Sequence, residues 1–457
     1  MSTTFEPSST VVAADPPIRG RLLQVLGVWF GIAAAIGNTI AAGIVRTPGD
    51  IAKLLPNPWL FLGVWILGGM YALLGASSLA ELGAAIPRSG GQYNFSRRGI
   101  GEYAGFLVGW SDWLSTCGTT AAVAIVIGEY SAVLLPFFAG REKTVAVCVL
   151  LFFALLQWRG VKWGSGAQLV TAVLKTGAFV ILVAACFILG SHLRIPSLPA
   201  ASADIALPHG FLLISLVLLG MQSVIYTIDG WDGIIYFSEE VKNPGRDVPR
   251  AIFASVFSIM GIYLLLNAAV LYVLPMNEIA GNIFALGAAA NKVFGRLGDP
   301  IIRSIMIISL LSCINACQMF CTRILYSMSC DRLFFRHAAK VNKGGTPVLA
   351  LVLSTAVGII FILGTFERVI AMLSFFFVAN YTLSYASLFI LRRREPDMPR
   401  PYRAWGYPWT PLLYVVVCVV VLVNTLLTQP RESGIGLGIL ALGIPAYLYW
   451  RRQRATA

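Results

Sequence analysis

The chain has 457 residues, 57% hydrophobic and only 12% charged, with a formal net charge of +13 and a mean hydropathy of +0.77. Soluble domains carry about 25% charged residues, so a water-soluble globule is excluded and a polytopic membrane protein is expected. The basic residues lie in loops beside apolar segments, so the charge reads as membrane topology and not as a nucleic-acid surface.

Residues 1–22 are polar at first and Pro-rich, without a basic stretch leading into a cleavable apolar segment. They read as a disordered cytoplasmic tail, with the first helix acting as the insertion signal. Apolar segments follow at 23–46, 58–86, 103–138, 144–160, 166–190, 208–238, 250–275, 301–329, 347–364, 367–391, 411–428 and 434–450. Crossing a hydrocarbon core of about 30 Å takes about 20 residues, so about twelve transmembrane helices are expected. Lys and Arg concentrate in alternate loops, among them Arg88, Arg97, Arg98, Lys242, Arg246, Arg332, Arg336 and Arg392. That asymmetry predicts both termini on the cytoplasmic side. The stretch FALGAAANKVFGRLG (284–298) is short and moderately amphipathic, and it predicts an interfacial helix on the outer side.

Two spans are interrupted. GIAAAIGNTIAAGIVRTPGD (31–50) has Gly37, Asn38, Thr39, Ala41, Ala42 and Gly43 where a spanning helix normally carries large apolar residues. GMQSVIYTIDGWDGIIYFSEE (220–240) places Asp229, Gly230, Asp232 and Gly233 at mid-membrane depth. A charge there costs at least about 2.5 kcal/mol, so it needs a reason. Matched breaks five helices apart point to an inverted-repeat transporter with its site between the halves. The expected architecture is all-α, a 5+5 inverted repeat (23–190 and 208–391) with discontinuous helices 1 and 6, plus two accessory helices (411–451).

Unwinding residues 38–42 and 228–231 frees backbone groups that are tolerated only where they line a cavity or meet a partner. A zwitterionic amino acid suits both ends. Its carboxylate fits the N-terminal end of a half-helix starting near Ala42 and Gly43. Its ammonium fits carbonyls around Ile40, Tyr226, Thr227 and Asp229. Close packing through small residues is the alternative reading.

These motifs resemble those of bacterial amino acid permeases in the amino acid–polyamine–organocation superfamily, in the branch of the L-type transporters. GNTIAAGIVRTPGDIA is similar to that family's first-helix motif, with Ala41 and Ala42 where Gly and Ser are usual. AELGAAIPRSGGQYNFSRRGIGEYAGFLVGW (80–110), GWDGIIYFSEEVKNPGRDVPRAI (230–252), TRILYSMSCDRLFFRHAAKVNKGGTPVLAL (322–351) and REPDMPRPYRAWGYPWTPLLY (394–414) carry the likeness through the chain. It implies alternating access, a carboxylate site on Ala41, Ala42 and Gly43, and ammonium-binding carbonyls at Ile40, Tyr226, Thr227 and Asp229. It also implies an aromatic gate at Tyr226, whose other reading is an ordinary packing Tyr. Asp232 either caps the second half-helix beside the ligand or serves local amides.

Lys175 lies about 14 Å from the nearer membrane face by helical rise, where a lysine is a functional candidate by default. The resemblance implies that it replaces a bound sodium ion and bonds carbonyls near Gly37 and Asn38, as a tether or as a proton carrier. Arg46 either steers anions at the outer vestibule or solvates the helix end. Glu239 and Glu240 are expected to pair with cytoplasmic Arg side chains as an inner gate.

No Walker motif, no His/Cys metal spacing and no Ser–His–Asp set appears, and no paired carboxylates are expected to face one cavity. Cys313, Cys317 and Cys321 share a helical face but gain no His or carboxylate, so they read as packing residues and no metal or cofactor is expected. The expected function is sodium-independent secondary transport of L-amino acids at the inner membrane, by exchange or proton symport. A sensor or channel on the same fold, or a carrier of polyamines or organic amines, is the alternative. The expected partners are the amino acid, protons and the bilayer, with no nucleic acid.

Overall fold

The computed structural model describes residues 22–190, 210–364, 366–428 and 430–455. The predicted tail at 1–22 therefore lies, apart from Leu22, outside the described residues. The described chain is helical: α1 (Val28–Thr39), α2 (Gly43–Leu54), α3 (Pro58–Ala85), α4 (Gln92–Gly99), α5 (Glu102–Leu134), α6 (Glu142–Trp158), α7 (Val161–Gly190) and α8 (Phe211–Ile228). After the 3₁₀ segment Gly233–Glu240 come α9 (Pro244–Val273), α10 (Met276–Ile279), α11 (Ala285–Phe294) and α12 (Gly298–Cys330). The chain ends with α13 (Val348–Ile362), α14 (Phe366–Arg394), α15 (Trp409–Thr428) and α16 (Pro430–Ala455).

Among the described residues, eight helices are long and apolar enough to cross a membrane, or nine when α1 and α2 count as one bent span. The expectation of about twelve is thus met only in part by length and composition. The α6 helix has 17 residues and α13 has 15, both short of a full span. The α14 helix mixes Asn380, Thr382, Ser384 and Ser387 into its apolar sequence.

Burial separates the interior from the bilayer-facing surface. On α7 the buried residues Gly164, Gln168, Ala172, Lys175, Phe179, Leu182 and Cys186 recur every three or four positions, a single helical stripe. Val170, Val173, Leu174, Val180 and Ile181 project outward from the same helix. An apolar exterior on this scale has no place in water, and it makes this a multi-pass membrane protein. By contrast, 78% of the apolar window containing α12 is buried, because α12 runs through the centre against α5, α7 and α1.

Local signals explain several boundaries. Asn57 Oδ1 accepts from the amides of Trp59 (2.9 Å) and Leu60 (3.2 Å), with Pro58 at the first helical position, and so starts α3. The α2 helix approaches the segment between α10 and α11 closely at Gly49, where a Cβ would lie 2.1 Å from the Asn282 carbonyl. The predicted interfacial helix is α11, and it buries Ala285, Leu286, Ala289 and Ala290.

One end of the bundle is laced by ion pairs that join the sequence motifs. Glu81 is held by Arg392 and by Arg400 at 3.2 Å, and Asp331 by Arg88 and Arg97, each at 3.1 Å. The Arg323–Glu240 pair, at 2.9 Å, is sealed from solvent, with side-chain exposures of 1% and 0%. Removing one partner of such a pair leaves a bare charge and costs about 3–5 kcal/mol. Glu240→Ala is therefore expected to lower the thermal unfolding midpoint of the detergent-purified protein by several degrees. An unchanged midpoint would show that the pair carries no structural weight.

Candidate functional site

The first interrupted span breaks at residues 40–42, and α1 and α2 diverge by 54°. The second ends at Ile228 and turns over 229–232, resuming as the 3₁₀ segment Gly233–Glu240 and not as an α-helical half. Gly230 adopts φ +102°, and a Cβ there would lie 2.2 Å from Asn38 Nδ2. Glycine is therefore required at the point where the two breaks touch.

The carbonyls freed by the first break are taken up by side chains from three helices. Lys175 Nζ on α7 donates to the carbonyls of Ile36 (3.1 Å), Gly37 (3.0 Å) and Ile40 (2.9 Å). Three donors meet three acceptors, which uses the full capacity of an ammonium. At about 1.5–3 kcal/mol each, these bonds outweigh an insertion penalty of about 2.5–3.5 kcal/mol. Ser309 Oγ on α12 donates to the same Ile40 carbonyl at 2.6 Å. The Cys313 thiol lies 3.4 Å from the Asn38 carbonyl. The Tyr263 hydroxyl on α9 sits between the carbonyls of Thr39 (2.9 Å) and Thr227 (3.2 Å), tying one break to the other.

The remaining face of the breaks opens on a cavity of about 510 Å³, lined by residues of α1, α2, α4, α5, α8, α12 and α14. Ala41, Gly43, Tyr226, Thr227, Asp229 and Asp232 are in its wall. Ile40 and Ala42 are not; Ile40 is fully buried, and its carbonyl accepts from both Lys175 and Ser309. The α2 helix starts at Gly43 with no side-chain cap, and the Val45 amide bonds the Ala42 carbonyl at 3.2 Å, so the Gly43 and Ile44 amides keep their donor capacity and the positive end of the helix dipole meets the cavity. A Cβ on Gly43 would lie 3.1–3.3 Å from Thr227 atoms, so this glycine also sets the contact between α2 and α8. Thr47 and Thr227 hydroxyls meet beside it at 2.6 Å.

Asp232 is 2% exposed, and its side chain makes no cap on the 3₁₀ segment. Of the two expected roles, capping is not seen and a bond to a local amide, its own, is; the residue also lines the cavity, with Gln92 Nε2 at 3.5 Å. Asp112, which the sequence reading passed over, lines the same cavity and accepts from the Tyr236 hydroxyl at 3.1 and 3.2 Å. Asp112, Asp229 and Asp232 all line this one cavity, which corrects the expectation that no carboxylates would share a cavity. Asp112 was detectable by the rule applied to Asp229, being an acid ten residues inside α5. Asn380 and Tyr381 also enter the wall from α14, with no comparable sequence signal.

Tyr236 stacks on Phe320 at 4.8 Å. Both line the cavity, and Phe320 packs against Phe237, whose ring lies 5.1 Å from the Arg323 guanidinium. The exposed Arg46 lies in the wall at the other end. Cys317 Sγ lies 3.0 Å from Asn38 Oδ1. Among the described residues no group of three His, Cys, Asp or Glu is placed to hold a metal ion.

The amino acid permease family matches residues 26–441. The chain belongs to that family. It is a permease, a transporter and not an enzyme. It is 26% identical over 442 residues to a serine/threonine exchanger of Bacillus subtilis, covering 95% of this chain and 98% of the relative. It is 27% identical over 453 residues to the large neutral amino acids transporter small subunit 2 of Homo sapiens, covering 94% and 82%. It is 26% identical over 449 residues to the Asc-type amino acid transporter 1 of Mus musculus, covering 95% and 83%.

Lys175→Met keeps the bulk in this permease and removes the donors. Ser309 still serves Ile40 and the Ile40 amide still serves Ile36 at 3.1 Å, so the Gly37 carbonyl is the one that loses its donor, at about 1–3 kcal/mol. The unfolding midpoint in detergent is expected to fall clearly below wild type. A midpoint equal to wild type would mean that this carbonyl finds another partner.

Proposed function

We propose that this permease is a secondary transporter that carries L-amino acids across the inner membrane by alternating access, without sodium, by exchange or proton symport. The observation that supports it most is the pairing of helix ends on one cavity. The N-terminus of α2 and the C-terminus of α8 both meet the 510 Å³ space, which is within the usual range for small-ligand sites. The carboxylate is assigned to the amides beginning at Gly43, beside Ala41 and Ala42. The ammonium is assigned to the carbonyl end of α8 at Tyr226, Thr227 and Asp229. In this reading Ile40 holds Lys175 and not the ligand.

The architecture belongs to the same proposal. Counting α6, α13 and α14 as spans brings the number to twelve. Residues 23–190 and 208–391 then form two inverted five-helix repeats, 411–451 forms two accessory helices, and both termini are cytoplasmic. The ion-paired end would be the closed cytoplasmic gate, and the end at Arg46 the open outer vestibule.

Lys175 occupies the position of a cation between α1 and α7. A sodium ion on the same carbonyls would stand about 4 Å from the ammonium, a repulsion of several kcal/mol even at an effective dielectric of about 20. Counterflow in proteoliposomes is therefore expected to run equally in sodium-containing and sodium-free buffer, driven by internal amino acid or by an inward proton gradient. A wild-type requirement for sodium would overturn this.

Tyr226, half-buried in the cavity wall, is assigned as the gate over the ligand. Tyr226→Ala is expected to slow uptake roughly tenfold to a hundredfold, and Tyr226→Phe to stay near wild type. Equal losses in both variants would assign the work to the hydroxyl and remove the gate.

A further inference from the structure

We infer that the transported substrate carries a second cationic group besides its α-ammonium, and that Asp112 and Asp232 receive it. This rests on the reading of the cavity as the amino acid site and names the class of amino acid.

The argument starts from how this protein treats its other buried acids. Glu81 is paired with Arg392 and Arg400, Glu240 with Arg323, and Asp247 with Arg246. Asp112 (4% exposed) and Asp232 (2%) are as deeply buried, yet among the described residues no ion pair includes them. Their polar neighbours include the hydroxyls of Tyr236 and Tyr381 and a distant Gln92 amide, none of them a cation. A buried carboxyl group is stable as an anion only beside a counter-charge and otherwise keeps its proton. The cavity these two line is where a counter-charge can reach them.

A second observation points to a ligand in the same space. Thr39 and Asn380 line the cavity and are 4% and 3% exposed. Thr39 Oγ1 and Asn380 Nδ2 have no hydrogen-bond partner. Buried polar atoms are nearly always bonded, so the wall is built with donor and acceptor capacity left for an occupant.

Charge balance selects the occupant. Asp112, Asp229 and Asp232 put three carboxyl groups on the wall, and the exposed Arg46 is its one basic side chain among the described residues. Lys175 is outside the wall, consumed by the carbonyls of α1. A neutral amino acid is a zwitterion and changes this balance by nothing. A substrate with a side-chain ammonium or guanidinium offsets one charge more, and its α-carboxylate still has the N-terminus of α2. A resident divalent metal is not the answer, because among the described residues no group of three acids, His or Cys converges on one point.

The test compares lysine with norleucine, which lacks only the terminal ammonium, and with cadaverine, which lacks only the carboxylate. Uptake of radiolabelled lysine into proteoliposomes is expected to saturate, and norleucine to compete at least about tenfold less well than unlabelled lysine. Cadaverine is expected to compete less well than lysine too, since it gives up the amides of α2. Asp112→Asn and Asp232→Asn are each expected to collapse the lysine-to-norleucine ratio, a readout that a mere loss of folded protein does not move. Norleucine competing as well as lysine, or transport of norleucine without lysine, overturns the inference and leaves amino acid transport standing. Transport of neither overturns the inference, and a panel of other neutral amino acids then decides whether amino acid transport stands. Cadaverine competing as well as lysine supports the cation site and removes the carboxylate assignment at Gly43.

Discussion

A broken helix inside a bilayer has no water to satisfy its backbone, and the rest of this molecule is organised around that constraint. The carbonyls of residues 36–40 face Lys175 from α7, Tyr263 from α9, and Ser309 and Cys313 from α12. These bonds, with that of Gln168 to the Ala33 carbonyl at 3.0 Å, hold α1 against three neighbours. They also polarise the break. Its carbonyl side is closed by protein, whereas the amide side at the start of α2 is left for something that enters from the cavity.

The two breaks behave as a linked unit. Tyr263 spans their carbonyls, Thr47 meets Thr227, and Gly230 lies against Asn38 where a Cβ would not fit. A rigid coupling of this kind lets one rocking element carry both halves of the proposed site together. Beneath it, Tyr236 and Phe320 form the floor, and the Arg323–Glu240 pair lies below them. In the proposed cycle, opening toward the ion-paired end requires that stack and that end's pairs to separate. The same pairs that stabilise one conformation are therefore placed to set the barrier to the other.

Most of the helical layout was legible in the chain. The apolar segments, the two interruptions (expected at 38–42 and 228–231, found at 40–42 and 229–232), and the depth of Lys175 follow from hydropathy and from the cost of charge in a membrane. The family motifs were legible as well, and the structure shows why they keep company: Glu81 meets Arg400, and Glu240 meets Arg323, pairing residues from different motifs. Less was legible at the short helices α6 and α13, where apolar length falls below a full span. The second half of the sixth segment was expected to be α-helical, yet Gly233–Glu240 winds as a 3₁₀ segment.

The sequence by itself determined that the chain lives in a bilayer, where its helices break, and which residue types surround each break. These follow from local composition, because an apolar environment penalises unpaired backbone and buried charge wherever they occur. Tertiary structure alone decided which freed groups are used up inside the protein and which remain for a ligand. Ile40 and Gly43 are neighbours in one motif, yet the carbonyl of Ile40 is consumed by Lys175 and Ser309, and the helix starting at Gly43 opens on the cavity. Asp112 and Asp232, 120 residues apart, line one cavity, and among the described residues neither is in an ion pair. Spacing along a chain cannot express that, because pairing depends on which helices stand side by side.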